Sequence, residues 1–197
     1  MTTARMLPAG KGDRTRDRLL NIAIRQFAHS GFRVTSVSEI AREAQLTPAA
    51  VYAYFAGKDG LFVAAVDADA ASLIDTAVRG TRGSNSFDRL VSTVTALIEG
   101  LAHHPLARRV LAGHEPDVIG RLLELPSLAT LRTATSEELR SAQRCGEIRN
   151  DIKAHDLAIG IETIVLSLLL GIAQTGTPDA SRMRGIRAIM KAILTVP

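Results

Sequence analysis

The sequence is poor in the residues on which many enzymes, exported proteins and aromatic-lined binding sites depend. It has one cysteine, Cys145, so an intrachain disulfide cannot form. It has no tryptophan. Six of its seven aromatic residues lie at or before position 62, and only Phe87 follows. No GxSxG, HExxH, CxxC or phosphate-binding glycine loop occurs. We therefore expect no catalytic residue and no cofactor.

Signals for export, membrane insertion and metal binding are equally weak. No apolar core of a signal peptide follows Met1, which favours a cytoplasmic protein. Residues 157–173 are the only membrane candidate, but the run is short and contains Glu162, so a helix buried in protein is the better interpretation. His103, His104 and His114 have no carboxylate or cysteine at ligand spacing, and no metal site is expected.

What the sequence does contain is helical periodicity along almost its whole length and a one-sided distribution of charge. No segment alternates with a period of two, which predicts an all-α protein. Residues 1–60 carry nine Lys and Arg against five Asp and Glu, whereas residues 61–197 carry fifteen of each. The net charge of +4 therefore lies wholly in the first segment, as expected for a surface that faces phosphates, although an ordinary solvated basic face remains an alternative.

Two short helices joined by a tight turn are predicted within residues 35–62. Ser36 and Glu39 form an S-x-x-E capping box, and the apolar residues that follow fall on one helical face. Thr47 followed by Pro48 marks the start of the second helix. Its buried positions are Val51 and Phe55, which leaves small residues and tyrosines for the outer surfaces. This pattern predicts a helix-turn-helix, with Lys58 in the first turn of the next helix, where free amides and a cation meet a phosphate together.

These residues resemble the TetR family of bacterial transcriptional regulators over roughly residues 14–62. The resemblance rests on Leu20, Ala23, Phe27, Gly31, Phe32, Thr35, Val37, Ile40, Ala41, Ala44, Val51, Tyr52, Tyr54, Phe55, Lys58 and Leu61. It implies a dimeric repressor with a DNA-binding domain at residues 1–60 and a larger helical domain at residues 61–197 for effector binding and dimerisation. It also implies that an effector entering the second domain shifts the connecting helix and changes the spacing of the two recognition helices.

The resemblance further implies which residues meet double-stranded DNA. The phosphate contacts would be Thr35, Ser36, Tyr52, Tyr54 and Lys58. The residues facing bases would be Thr47, Pro48, Ala49, Ala50 and Ala53.

Two positions depart from the family pattern. Gln45 stands in the turn where the family usually has glycine, at a position that favours positive φ and costs a side chain about 1 kcal/mol. Gly60 stands where a helix former is usual. The second helix also lacks Arg, Asn and Gln, the side chains that make bidentate base contacts. We hypothesise that small residues contact thymine methyl groups, and that Gln45 and a cation of the N-terminal arm, residues 1–12, add polar readout.

The scarcity of aromatic residues after position 62 favours a small, largely apolar effector over a flat cation. The candidate effector-binding residues are Leu97, Leu101, Leu111, Leu122, Leu131, Ile159, Glu162 and Leu166. Periodic leucines are also what a plain core requires, so a filled interior is the alternative. Glu162 lies in the most apolar helix, where a carboxylate must be paired or protonated. We expect it either to orient a ligand hydroxyl or to pair with an arginine across a dimer.

The last two predicted helices, residues 154–175 and the C-terminal one, have more apolar surface than one small domain covers. We expect a homodimer through this pair and a palindromic operator, with an intramolecular core helix as the alternative. A constitutive or architectural DNA-binding protein without an effector is a second function class. A helical enzyme without a recognisable motif is a third.

Overall fold

The computed structural model describes residues 10–176 and 180–195. Within these ranges the chain is built from α-helices and short 3-10 helices and has no strand, so the all-α prediction is confirmed. The helices are α1 (Lys11–Val34), α2 (Val37–Glu43), α3 (Pro48–Tyr52), α4 (Gly57–Gly80), α5 (Ser86–Gly100), α6 (Pro105–Leu111), α7 (Pro116–Ile119), α8 (Pro126–Arg144), α9 (Ala154–Thr175) and α10 (Ala180–Leu194). Two 3-10 helices, Leu101–His103 and Leu122–Glu124, precede α6 and α8.

The chain divides into two compact units, Met1–Val66 and Asp67–Pro197, and the boundary falls inside α4. The division inferred from the sequence, after residue 60, falls near the start of the same helix and stays a prediction. Residues 1–9 of the N-terminal arm, including Arg5, lie outside the described residues. The prediction that a cation of this arm adds to DNA readout falls largely on them.

The first unit is a small bundle in which α1 packs on α2 and α2 packs on α3. Its centre is aromatic, with the Phe27 ring set edge-on against Phe62 at 4.8 Å between centroids. The sequence predicts Leu20, Ala23, Ile24 and Phe27 on the inner face of α1. Leu20, Ala23 and Phe27 are buried, together with Leu19 and Ile22, whereas Ile24 is only half-buried. The sequence predicts that α1 ends near Gly31. Instead Gly31 adopts φ 78° and the helix resumes to Val34 beyond this kink.

The second unit is held together by α8 packed along α9, with α5 and α10 completing a cluster of buried hydrophobic residues. The cluster consists of Val94, Leu139, Ala142, Ile148, Ala154, Leu157, Ala158, Ile161, Leu168, Met190 and Leu194. The sequence predicts Ser86 as the N-cap of α5, but the cap is Asn85, one residue earlier. Asn85 Oδ1 accepts the Asp88 amide at 2.8 Å, whereas Ser86 donates its hydroxyl to Glu147 at 2.9 Å.

Two helices of this unit start at a proline and take their caps from α4. Neither α6 nor α8 has a capping side chain at its own N-cap position. Asp69 accepts the amides of Leu106 and Ala107 at 3.1 and 2.8 Å, and Asp67 accepts the amide of Ser127 at 2.9 Å. Helix α4 is therefore joined to α6 and α8 by hydrogen bonds.

Helix α9 is apolar and long enough to cross a membrane by length and composition, yet only 28% of its most apolar 18-residue window is buried. The sequence predicts a helix buried in protein, and within one chain that burial is incomplete. Its buried residues include Leu157, Ala158 and Ile161. Ile159 is 40% exposed, and Gly160 and Thr163 are exposed beside it. One face of α9 is thus uncovered in the single chain.

Candidate nucleic-acid interface

Helices α2 and α3 are joined by the turn that the sequence predicts. Gln45 has φ 56° and is the only non-glycine residue with positive φ in the described ranges, so the strain expected at this position is present. The Leu46 amide then donates to the Ala41 carbonyl at 2.8 Å and closes the turn. Thr47 caps α3, because its hydroxyl oxygen accepts the Ala50 amide at 3.2 Å, and Pro48 occupies the first turn. The turn and cap fix the direction of α3.

Helix α3 is anchored by two apolar side chains and leaves a broad face to solvent. Val51 is 1% and Phe55 5% exposed, as predicted. Tyr52 and Tyr54 are 53% and 38% exposed. The residues expected to face bases are also at the surface: Thr47, Pro48, Ala49 and Ala53 are exposed and Ala50 is half-buried. A surface of alanines with phenolic groups beside it allows close approach to a flat or grooved partner.

Lys58 lies in the first turn of α4, as the sequence predicts, and its position is fixed by two contacts. Its Nζ donates to the Arg33 carbonyl at 3.2 Å and lies 4.7 Å from the centre of the Phe32 ring. An ammonium has three donors, so a cation held in this way still has donors for an anion. Phosphate oxygens are the anions that such a helix start favours.

Arg16 supplies a second cation, which the sequence pattern alone does not identify. Its guanidinium carbon lies 5.3 Å from the centre of the Phe55 ring, and its side chain is exposed. This contact places a charge of α1 beside the residue that anchors α3. The only sequence signal is the run of alternating arginines at 14, 16 and 18, which does not show which one reaches α3.

The first residues of the helix-turn-helix differ from expectation. Thr35 is 3% exposed, and its hydroxyl is within hydrogen-bond distance of the Gly31 and Gln26 carbonyls at 2.7 and 3.2 Å. A buried hydroxyl that completes the end of α1 is not placed to meet a phosphate, so Thr35 is removed from the candidate contacts. Ser36 caps α2, but its oxygen accepts the Ser38 amide at 3.2 Å instead of forming the predicted capping box with Glu39.

The end of α2 is tied to α1 through Glu43. Gln26 Nε2 and Arg25 Nη2 each donate to one of its carboxylate oxygens at 2.6 Å. The hydrogen bond from Gln26, followed by that from Arg25, lowers the pKa of the Glu43 carboxyl. This bridge holds the two helices whose relative position sets the start of the turn.

In the second unit, the residues expected to line an effector site fall into three groups. Leu97, Leu101, Leu111 and Leu122 are buried, and Leu131, Glu162 and Leu166 are half-buried. Ile159 is exposed, because it lies on the face of α9 opposite Leu157 and Ile161, so the expectation that it lines an interior site is corrected. Glu162 is paired within the chain: Arg132 Nε lies 2.7 Å from Glu162 Oε2.

Two surface grooves described in this unit are lined largely by residues of α5 and α10, and none of the predicted effector residues lines either of them. One, of about 190 Å³, has an apolar floor that includes Val94, Met183 and Met190. The other, of about 610 Å³, includes Phe87, Glu147 and Lys191. His104, part of the loose histidine group, hydrogen-bonds Asp69 at 2.8 Å. The described residues contain no group of three or more side chains able to hold a metal ion.

Comparison with known proteins agrees with this arrangement. Residues 19–65 match the family model described as bacterial regulatory proteins, tetR family. The HTH-type transcriptional regulator UidR of Escherichia coli K12 is 26% identical over 184 residues, which are 92% of this chain and 93% of UidR.

Solved structures with the same fold cover nearly the whole chain. Salmonella enterica GusR has a TM-score of 0.67 and 21% identity, covering 95% of this chain and 99% of GusR. A TetR-family transcriptional regulator from Pectobacterium atrosepticum has a TM-score of 0.75 and 20% identity, covering 96% of this chain and all (100%) of that protein. The relatives named here by function are regulators of transcription and not enzymes.

Proposed function

We propose that this chain, which belongs to the TetR family of bacterial regulatory proteins, is a ligand-responsive repressor that binds a palindromic operator as a homodimer and leaves it when a small, largely apolar effector binds. The chain is a DNA-binding regulator of transcription. The observation that carries the proposal is the exposed face of α3 with its small side chains, in a unit that also holds Arg16 against Phe55 and Lys58 in the first turn of α4.

That face suits the major groove of duplex DNA. Cations and phenolic hydroxyls position a protein on phosphates, whereas base edges are read in the groove. Alanine side chains are short enough to contact thymine methyl groups. The contacts proposed to phosphate are Ser36, Tyr52, Tyr54, Lys58 and Arg16. The contacts proposed to bases are Gln45, Thr47, Pro48, Ala49, Ala50 and Ala53.

The homodimer is proposed to form through α9 and α10. Helix α9 exposes Ile159, and α10 exposes Ile189 at 53% of its area, next to small residues on both helices. An apolar face of this kind is costly in water and is covered in symmetric dimers by the same face of the partner. Two recognition helices about 34–36 Å apart then reach successive major grooves, which explains why a palindrome is expected.

The effector is proposed to bind in the second unit, near the leucines of α5, α6 and α8. The protein is proposed to act in the cytoplasm. The buried Leu97, Leu101, Leu111 and Leu122 and the near absence of aromatic side chains support an aliphatic ligand. A constitutive DNA-binding protein is the second candidate, because buried residues of α8 and α9 belong to one hydrophobic cluster, as a plain core requires.

Selection of bound DNA from a random pool tests the proposal. We expect a palindromic site, a complex of one or two dimers, and release of that site by an apolar compound. Loss of affinity should be steep as salt rises, because cations that neutralise phosphates release counterions. A selected site without two-fold symmetry would contradict the dimeric model. A palindrome that no small molecule releases would favour the constitutive alternative.

A further inference from the structure

Three buried side-chain atoms in the described residues have no hydrogen-bond partner, and all lie on the packed pair α8 and α9. They are Ser127 Oγ, Arg132 Nε and Glu162 Oε1. Buried polar atoms are nearly always paired, and each exception calls for an explanation. Two of the three belong to a single ion pair. Such a concentration of unpaired buried polar atoms indicates a site where a molecule from outside the chain supplies the missing hydrogen-bond partners.

The ion pair itself is close but poorly aligned. Arg132 Nε lies 2.7 Å from Glu162 Oε2, yet its N–H is not satisfied as a hydrogen-bond donor. The two side chains are 27% and 11% exposed. Burial raises the pKa of the Glu162 carboxyl, and the Arg132 guanidinium opposes that rise. The pair therefore leaves a donor, Nε–H, beside an acceptor, Oε1.

A second Arg–Glu pair in the same unit shows what an aligned arrangement looks like. Arg109 Nε donates to Glu115 Oε1, also at 2.7 Å, and the Glu115 side chain is 9% exposed. Donor atom, distance and burial are alike, but here the hydrogen bond is made. The misalignment at Arg132 is thus not a general property of buried pairs in this chain.

The chemistry of the free donor and acceptor selects the ligand. A carboxylate ligand would be repelled by Glu162, and an ammonium would be repelled by Arg132. A neutral hydroxyl suits both, since one oxygen accepts from a guanidinium and donates to a carboxylate. Leu128 lies one turn before Arg132 on α8, Leu166 lies one turn after Glu162 on α9, and both are half-buried apolar residues.

We propose that the effector carries an alcohol hydroxyl that accepts a hydrogen bond from Arg132 Nε–H and donates one to Glu162 Oε1, with an aliphatic body beyond it. This inference rests on the proposed effector-binding role of the second unit and names the ligand class. Matched pairs of probes test it: 1-octanol against octyl methyl ether, and geraniol against geranyl methyl ether. The ether keeps the acceptor and loses the donor.

Binding is measured by calorimetry on the full-length protein. A hydrogen bond to a charged group contributes about 1.5–3 kcal/mol, so we expect at least one alcohol to bind about 10- to 100-fold more tightly than its ether. The preference should fall below about threefold in Glu162→Ala and persist in the matched control Glu115→Gln. A preference that survives in Glu162→Ala would overturn the proposal.

A measurement on the unaltered protein covers the case in which Glu162→Ala does not fold. With carboxyl-¹³C glutamate, the Glu162 signal should shift on adding the alcohol and stay in place with its ether. Equal binding and equal operator release by alcohol and ether would refute the hydroxyl and leave the proposed function intact. If no compound releases the operator and no alcohol shifts the signal, both the ligand-responsive function and the hydroxyl are refuted.

Discussion

Removal of the Asp69 carboxylate should destabilise the second unit strongly, because Asp69 supplies the cap that α6 lacks. The residue is 5% exposed, accepts the Leu106 and Ala107 amides, and lies 2.8 Å from His104 Nδ1. In Asp69→Ala two amides lose their partner at a buried helix start. Each unsatisfied buried donor costs about 1–3 kcal/mol, so we expect a loss of about 3 kcal/mol in the free energy of unfolding.

Two variants distinguish the effect of losing the helix cap from the effect of losing a negative charge. Asp69→Asn keeps an acceptor oxygen and should cost about 1 kcal/mol, within the range of cap substitutions. Asp75 lies on the same helix in an exposed pair with Arg79, and exposed pairs contribute little, so Asp75→Ala should cost about 0.5 kcal/mol. Urea unfolding at one fixed protein concentration measures all three. Equal losses in Asp69→Ala and Asp75→Ala would refute the capping role.

Four further predictions concern DNA, backbone strain, acid and assembly. Lys58→Ala should weaken binding uniformly across operator sequences and lower the salt slope by about 1, as measured by fluorescence anisotropy; an unchanged slope would exclude a phosphate contact. Gln45→Gly should raise stability by about 1 kcal/mol by relieving the positive φ, while weaker operator discrimination in Gln45→Gly and Gln45→Ala would confirm a role in readout. Hydrogen bonds from the Ser86 amide and hydroxyl lower the pKa of Glu147. Its contribution to folding stability is therefore present above the ordinary carboxyl pKa and is lost as the pH falls from there through the lowered pKa. Glu147→Gln should flatten the acid side of the curve of stability against pH, and an unchanged curve would contradict this. Ile159→Glu should convert the dimer to a monomer in sedimentation velocity, whereas Val78→Glu, at a site that is also exposed (48%), should not. If both variants remained dimeric, the exposed face of α9 would be excluded as the dimer interface.

Local sequence signals predicted the first unit well. Thr47 with Pro48 placed the start of α3, and the glycine-like turn position gave the positive φ of Gln45. Such features depend on a few neighbouring residues, so a pattern identifies them. The prediction of the α5 cap was wrong because Asn85 and Ser86 are both good capping residues. Glu147, 61 positions away, accepts the hydrogen bond of the Ser86 hydroxyl.

The features that sequence reasoning missed depend on residues far apart in the chain. Glu162 was expected to meet either a ligand or an arginine across a dimer, and its arginine lies instead on α8 of the same chain. Thr35 has the residue type of a phosphate contact, but the fold buries it against α1. The Arg16 contact with Phe55 depends on how α1 lies beside α3. None of these follows from periodicity.

The exposed face of α3 is proposed to enter the DNA groove, and the Ala49→Glu variant tests this contact. Ala49 is exposed, so the substitution leaves the fold intact while it brings a carboxylate towards phosphates and base edges. Anisotropy with the selected operator should show a loss of affinity of at least about 100-fold, since like-charge juxtaposition costs several kcal/mol. The thermal midpoint should be unchanged, and Ala129→Glu, at an exposed site of α8, should bind normally. Undiminished operator binding by a folded Ala49→Glu protein would show that α3 does not enter the groove.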